Sequence, residues 1–117
     1  MNLETILNTL AVPLEADGLE FSLTPFPNTR VIAWNRATHT NVPSEATNEQ
    51  VLDISEQVQK AQLDIISSHM RTCIAKGDTK RVTSEWVGKT FPQPVLQDLA
   101  NYFATGTKPK WAGELGN

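Results

Sequence analysis

The chain is poor in the residues that usually carry chemistry. Its 117 residues include one cysteine, Cys73, so no internal disulfide can form. His39 and His69 are the only histidines, and neither has a second histidine three or four residues away. A zinc site needs about four ligands, three of them protein side chains even when the metal is catalytic. No glycine-rich phosphate loop, GxSxG elbow or paired-carboxylate motif occurs. Cofactor, metal and catalytic residues are therefore expected to be none, and the protein is not read as an enzyme. No apolar run approaches the ~20 residues of a membrane helix, and the opening MNLETILNTL has Glu4 but no basic residue before its apolar positions. A soluble protein without a signal peptide, in its own or a host's cytoplasm, is the expectation. Positive charge is in deficit too. At a net charge of -3 the overall field repels phosphate, so nucleic-acid binding would need a local patch.

What the chain does have is a long stretch, Ser44 to Gly77, without proline or internal glycine. Apolar residues recur at Val51, Ile54, Val58, Ala61 and Ile65, the period of one helix face. A second stripe, Leu63, Ile66, Met70 and Cys73 or Ile74, takes over toward the C-terminal end. The apolar seam thus drifts around the helix and its halves should face different partners. Thr47 with Gln50 fits a capping box, and Gly77 is suited to a left-handed stop. At ~1.5 Å per residue the rod would be on the order of 45 Å long.

The remainder reads as smaller elements around this rod. Asn2 to Val12 is predicted as an amphipathic helix with Leu3, Ile6, Leu7 and Leu10 on one face, ended by Pro13 and the Asp17-Gly18 turn. Leu19 to Thr24 alternates apolar and polar, as a half-buried strand does. Pro25-Phe26-Pro27-Asn28 breaks it, and Arg30 to Trp34, rich in β-formers, is predicted to return as the second strand of a hairpin. Asn35 to Pro43 reads as a linker. Thr83 or Ser84 should cap a short helix over 85–90, and Pro94 should open a last helix with Val95, Leu96, Leu99, Ala100 and Phe103 inward, closed by Gly106. Residues 107–117 read as a flexible tail carrying Trp111, outside a single globular domain of residues 1–106.

Three groupings invite a chemical reading, and each has a plainer one. His69 and Cys73 share a helix face, yet both would point outward from one straight helix with no cleft between them, so they are read as an edge residue and a small core residue. Arg71, Lys76, Lys80 and Arg81 cluster near the end of the long helix, where cations complement the helix dipole. The final helix, VLQDLANYFA, has no Arg or Lys, which argues against base reading. The tryptophans say more: Trp86 reads as core, whereas Trp34 and Trp111 suit a partner surface as well as a roof over a small core.

Three further stretches carry a likeness: GLEFSLTPFP (Gly18 to Pro27), the long helix running through Gly77 and Arg81 to VTSEWV (Val82 to Val87), and QPVLQDLANYFATG (Gln93 to Gly106). In this order of features the chain resembles the tail assembly chaperones of long-tailed bacteriophages. The resemblance implies a non-enzymatic protein of the host cytoplasm. It would coat the helical, apolar tape-measure protein and recruit tail-tube subunits, and many such chaperones also occur as a longer frameshifted form. Two other classes stay open. A small phage-encoded inhibitor of the anti-CRISPR or anti-restriction type fits the length and acidity, and a minor enzyme or metal protein would use His69 and Cys73. Neighbouring tube and tape-measure genes separate the chaperone from the inhibitor; metal analysis separates the metal protein.

The sequence therefore predicts an α+β, mostly helical fold: an N-terminal helix, a short β-hairpin, one long central helix and two short C-terminal helices. It predicts a protein-binding role through Leu3, Ile6, Leu7, Leu10, Phe26, Trp34 and Trp111. No nucleic acid, membrane or cofactor is expected as a partner, and unpaired hairpin edges leave homo-oligomerisation open.

Overall fold

The computed structural model describes residues 2–115. These residues form a mostly helical α+β fold with one three-stranded antiparallel sheet. Helix α1 (Leu3–Leu10) starts where the Asn2 side chain accepts from the Thr5 amide. Strands β1 (Val12–Ala16) and β2 (Leu19–Leu23) follow, joined by Asp17-Gly18. Both turn residues have positive φ, +51° and +78°, as a two-residue type I′ hairpin requires. Helix α2 (Asn28–Thr38) and the long α3 (Asn48–Thr72) come next, then strand β3 (Ile74–Lys76). A 3-10 turn (Thr79–Arg81) leads to α4 (Ser84–Thr90), α5 (Gln93–Thr105) and α6 (Lys110–Leu115).

Four sequence expectations are corrected here. The hairpin is β1 with β2 and lies one element earlier than predicted. Arg30 to Trp34 is helical within α2, where Arg30, Val31, Trp34 and Ala37 are the inward residues and Ile32 points to solvent. That spacing of 1, 3 and 3 is a helix face, so packing on α3 overrides the β-propensity of Val and Ile. The long helix stops at Thr72 rather than at Gly77, because the next residues pair with β2: Ile74 opposes Phe21, and the Ser22 amide donates to the Cys73 carbonyl at 2.8 Å. At 25 residues the rod is about 38 Å long, shorter than expected. Finally, the segment read as a tail contains α6, which packs on β1 and puts Ala112 in the core with Trp111 against it.

Two more boundaries shift: α1 ends at Leu10 rather than Val12, because Val12 and Pro13 belong to β1, and Asn35 to Thr38, read as linker, completes α2. The caps of the later helices fall where the sequence places them. Thr47 and Gln50 form the reciprocal capping box of α3. Thr83 caps α4, Pro94 lies in the first turn of α5, and Gly106 closes that helix at φ +80°.

The core forms because one face of β2 alternates inward, Leu19, Phe21 and Leu23. It meets the last turns of α3 through Ile66 and Met70, and α5 through Leu99, Tyr102 and Phe103. The Tyr102 hydroxyl lies 2.7 Å from the Leu10 carbonyl and 2.8 Å from the Leu23 carbonyl. Its single proton is shared between the end of α1 and the end of β2. Burial, with Cys73 nearby, pushes the Tyr102 hydroxyl well above its ordinary pKa. The sheet's two outer strands are poor templates for pairing with another copy: β1 carries Pro13, and β3 has three residues.

Candidate functional site

The core does not cover α3 evenly. Its buried residues are Ile66, Ser67, His69 and Met70, all in the last two turns. Helix α2 runs antiparallel beside it, since Arg30 reaches His69 while Thr38 meets Gln62. Beyond Thr38 the loop 39–47 accompanies the first half of α3, with Pro43, Glu45 and Ala46 beside Gln50, Asp53 and Ile54. Within that half Ile54 and Val58 are half-buried, whereas Val51 and Leu52 are exposed, Leu52 by 62%. The drifting seam thus has a mechanical result: its C-terminal stripe is enclosed and its N-terminal end is left open to solvent. Glu45, Glu49, Asp53 and Glu56 are all exposed here, against the single cation Lys60.

Next to this open half lies a groove of about 370 Å³. Its floor is Leu63, Ile66 and Leu96, Trp34 stands on one side and Gly88 on another, and four glutamine side chains (Gln59, Gln62, Gln93 and Gln97) edge it. No charged residue lines it. Leu52, Gln59 and Ile66 are spaced by seven on α3, so exposed Leu52 lies on the same helical face as the groove floor. Such a surface suits contact with a polypeptide: an apolar strip, amides that both donate and accept, and an acidic margin.

The predicted contact residues divide. Leu3 and Ile6 are exposed, Leu3 by 67%, and no residue of α1 is buried; Leu7 and Leu10 are half-buried. Trp34 lines the groove while its ring lies 5.9 Å from that of Phe26. Phe26 itself is a correction: it is 7% exposed and packs in the core against Phe103 and His69, at ring distances of 5.1 and 4.8 Å. The Pro25-Phe26-Pro27 bend, read as a hairpin loop tip, turns inward, pinned where the Phe26 amide donates to the Phe103 carbonyl. Trp111 is half-buried on the core side of α6, and its indole N–H is buried without a partner among the described residues. The structure therefore brings Trp34 together with α3 and α5, and leaves α1 as a separate exposed strip. Leu52 has no place in the sequence-derived set because it lies off the Val51–Ile65 stripe; the seven-residue spacing to Gln59 and Ile66 is the signal that locates it.

His69 and Cys73 do meet, at 3.7 Å between Nε2 and Sγ. Arg30 can only donate, so His69 Nδ1 accepts from it at 2.7 Å, and Nε2 carries the proton and donates to the Thr24 carbonyl at 2.6 Å. The imidazole is thus a donor toward the sulfur and offers it no free lone pair. Burial pushes the Cys73 thiol up, but hydrogen bonds from His69 and Thr24 outweigh it and leave the thiol below its ordinary value. Both side chains are enclosed, His69 at 2% exposure. The cluster ties α2, α3 and the end of β2 together inside the core. Among the described residues no group of three or more His, Cys, Asp or Glu is placed to share a metal ion.

In the basic cluster all four residues are exposed; Arg71 donates to the Ser68 hydroxyl at 3.0 Å, and Arg81 alone forms an ion pair among the described residues. Arg81 donates to the Asp17 carboxylate at 2.7 Å and to its carbonyl at 2.8 Å, holding the hairpin turn. The Trp86 indole donates to the same carboxylate at 3.0 Å. No helix among the described residues is long and apolar enough to cross a membrane. The chain matches no protein-family model, no curated protein and no solved structure.

Proposed function

We propose that this protein is a non-enzymatic assembly chaperone or adaptor that works by covering an apolar helical segment of another polypeptide. The observation that carries the reading is the half-open long helix. Its C-terminal half is locked into the core by Ile66, His69 and Met70, while its N-terminal half keeps Val51 and Leu52 in water. A rigidly anchored helix with exposed apolar residues is the scaffold for helix-in-groove recognition. The exposed strip of α1 adds a second surface. The acidic margin of α3 keeps such a surface soluble when it is unoccupied.

The resemblance to phage tail assembly chaperones supplies a specific form of this role. In that form the client is the tape-measure protein, tail-tube subunits are recruited later, and the site of action is the host cytoplasm. The test is capture of a tape-measure fragment encoded beside this gene, measured by isothermal titration with wild type, Leu7→Asp and Trp34→Ala. Binding by wild type that weakens tenfold or more in at least one variant supports the reading. No binding by wild type, or equal binding by all three, overturns it.

A further inference from the structure

The groove and the open end of α3 differ in charge, and that difference specifies an occupant. The groove is uncharged, with Leu63, Ile66 and Leu96 as its floor and Trp34 beside them. Moving toward the N-terminus on the same face of α3, the surface reaches Leu52, which has Glu49 three residues before it and Glu56 four residues after it. Both carboxylates are exposed and neither forms an ion pair among the described residues. They are one helical turn from Leu52 on either side, within reach of the same bound object.

Resting on the adaptor reading above, we infer that this track binds an amphipathic helix of another polypeptide. The helix seats its apolar stripe from the groove floor to Leu52 and places lysine or arginine at the Glu49–Glu56 end. Charge complementarity selects this occupant over the alternatives. A second copy laid parallel on this face would bring Glu49, Asp53 and Glu56 against its own carboxylates, and an antiparallel copy would bring the far end of its α3, whose first cation, Arg71, lies roughly a third of a turn off the Leu52–Ile66 face. An acidic helix would meet the same repulsion. A wholly apolar helix would leave both carboxylates partly desolvated and unpaired, which is costly. The glutamine amides along the groove tolerate either polar sense in the client, so they set no charge preference there. Discrimination therefore comes from one end of the track. It should appear mainly as a faster association and a salt-sensitive affinity.

The experiment uses the full chain and two synthetic helices of about 22 residues. Both carry a leucine stripe at i, i+3, i+4 and i+7; one has three lysines at one end and the other three glutamates at the same positions. Binding is read by fluorescence anisotropy at low and high salt. The lysine helix is expected to bind at least tenfold more tightly than the glutamate helix, with the gap narrowing as salt rises. Glu49→Lys with Glu56→Lys should invert the preference. Gly88→Leu, which fills the groove mouth from an exposed helical position, and Leu52→Asp should each weaken the lysine helix tenfold or more, with circular dichroism unchanged. Equal binding of the two helices, no response to Gly88→Leu and Leu52→Asp, or a dimer in sedimentation that Leu52→Asp abolishes would each overturn the inference. If the tape-measure fragment binds wild type while neither synthetic helix does, this inference fails and the adaptor reading stands. If the lysine helix binds as described and the fragment does not, the track is real and the tape-measure assignment fails.

Discussion

Asp17 occupies a left-handed backbone position, φ +51°, that costs a non-glycine residue energy. It is kept there because its carboxylate accepts from the Trp86 indole and from Arg81. Those partners hold its pKa below the usual aspartate value, the Trp86 hydrogen bond first and the Arg81 charge second. A depressed folded-state pKa stabilises the fold above the unfolded value, near pH 4, and the contribution is lost as pH falls through the folded value. Asp17→Asn should therefore lower the urea midpoint at pH 7 and leave a smaller drop between pH 5 and pH 2.5 than wild type shows. Gly77 makes a different demand. Its φ is +119°, and a Cβ there would run into the Leu19 side chain. Gly77→Ala is expected to cost about 2 kcal/mol or more in denaturant titration, since it combines backbone strain with overlap in the core. Tyr102→Phe should cost about 1–3 kcal/mol, because it leaves two carbonyls short of a donor. Loss of the same hydroxyl should also speed amide exchange in α1, whose last turn it anchors.

At the level of elements, α3 is two helices in one. Its C-terminal half is held by the core, and its N-terminal half depends on its own cap. Thr47→Ala removes the capping box, worth ~1 kcal/mol. The expected effect is faster exchange confined to residues 48–54, with the global melting temperature nearly unchanged, because those turns contribute little to the core. The capping box, the drift of the seam and the caps of α4 and α5 were all legible from local sequence, since each rests on residues within one or two turns. The hairpin was legible in part. Val12, Leu14 and Ala16 alternate before Asp17-Gly18 as Leu19, Phe21 and Leu23 do after it, but Pro13 reads as a helix stop unless the strand is known to lie at the sheet edge. Strand β3 was not legible, because Ile74-Ala75-Lys76 continues the helical pattern and only its pairing with β2 ends the helix. Trp34 was singled out as a candidate contact residue from its chemistry. The groove it lines was not, because α2, α3, α4 and α5 all contribute to it and no local pattern connects them.

The whole molecule is elongated, 51 × 31 × 25 Å, with a radius of gyration of 15.5 Å where a compact chain of this length would have about 13 Å. The excess length fits the open half of α3, which projects past its α2 neighbour instead of folding back into the core. Charge follows the same axis: acids gather around residues 45–56, and Arg71, Lys76, Lys80 and Arg81 gather toward the other end of the long helix and the hairpin turn. Such a shape has apolar surface to spare at one end, and the proposed role is to lend that surface to a client. Hydrogen–deuterium exchange of the full chain, with and without the tape-measure fragment, tests this most directly. The expected result is slower exchange concentrated in residues 48–62 of α3 and 93–100 of α5, with the buried turns around His69 unchanged. Protection elsewhere with residues 48–62 unaffected, or no protection at saturating fragment, would contradict the account.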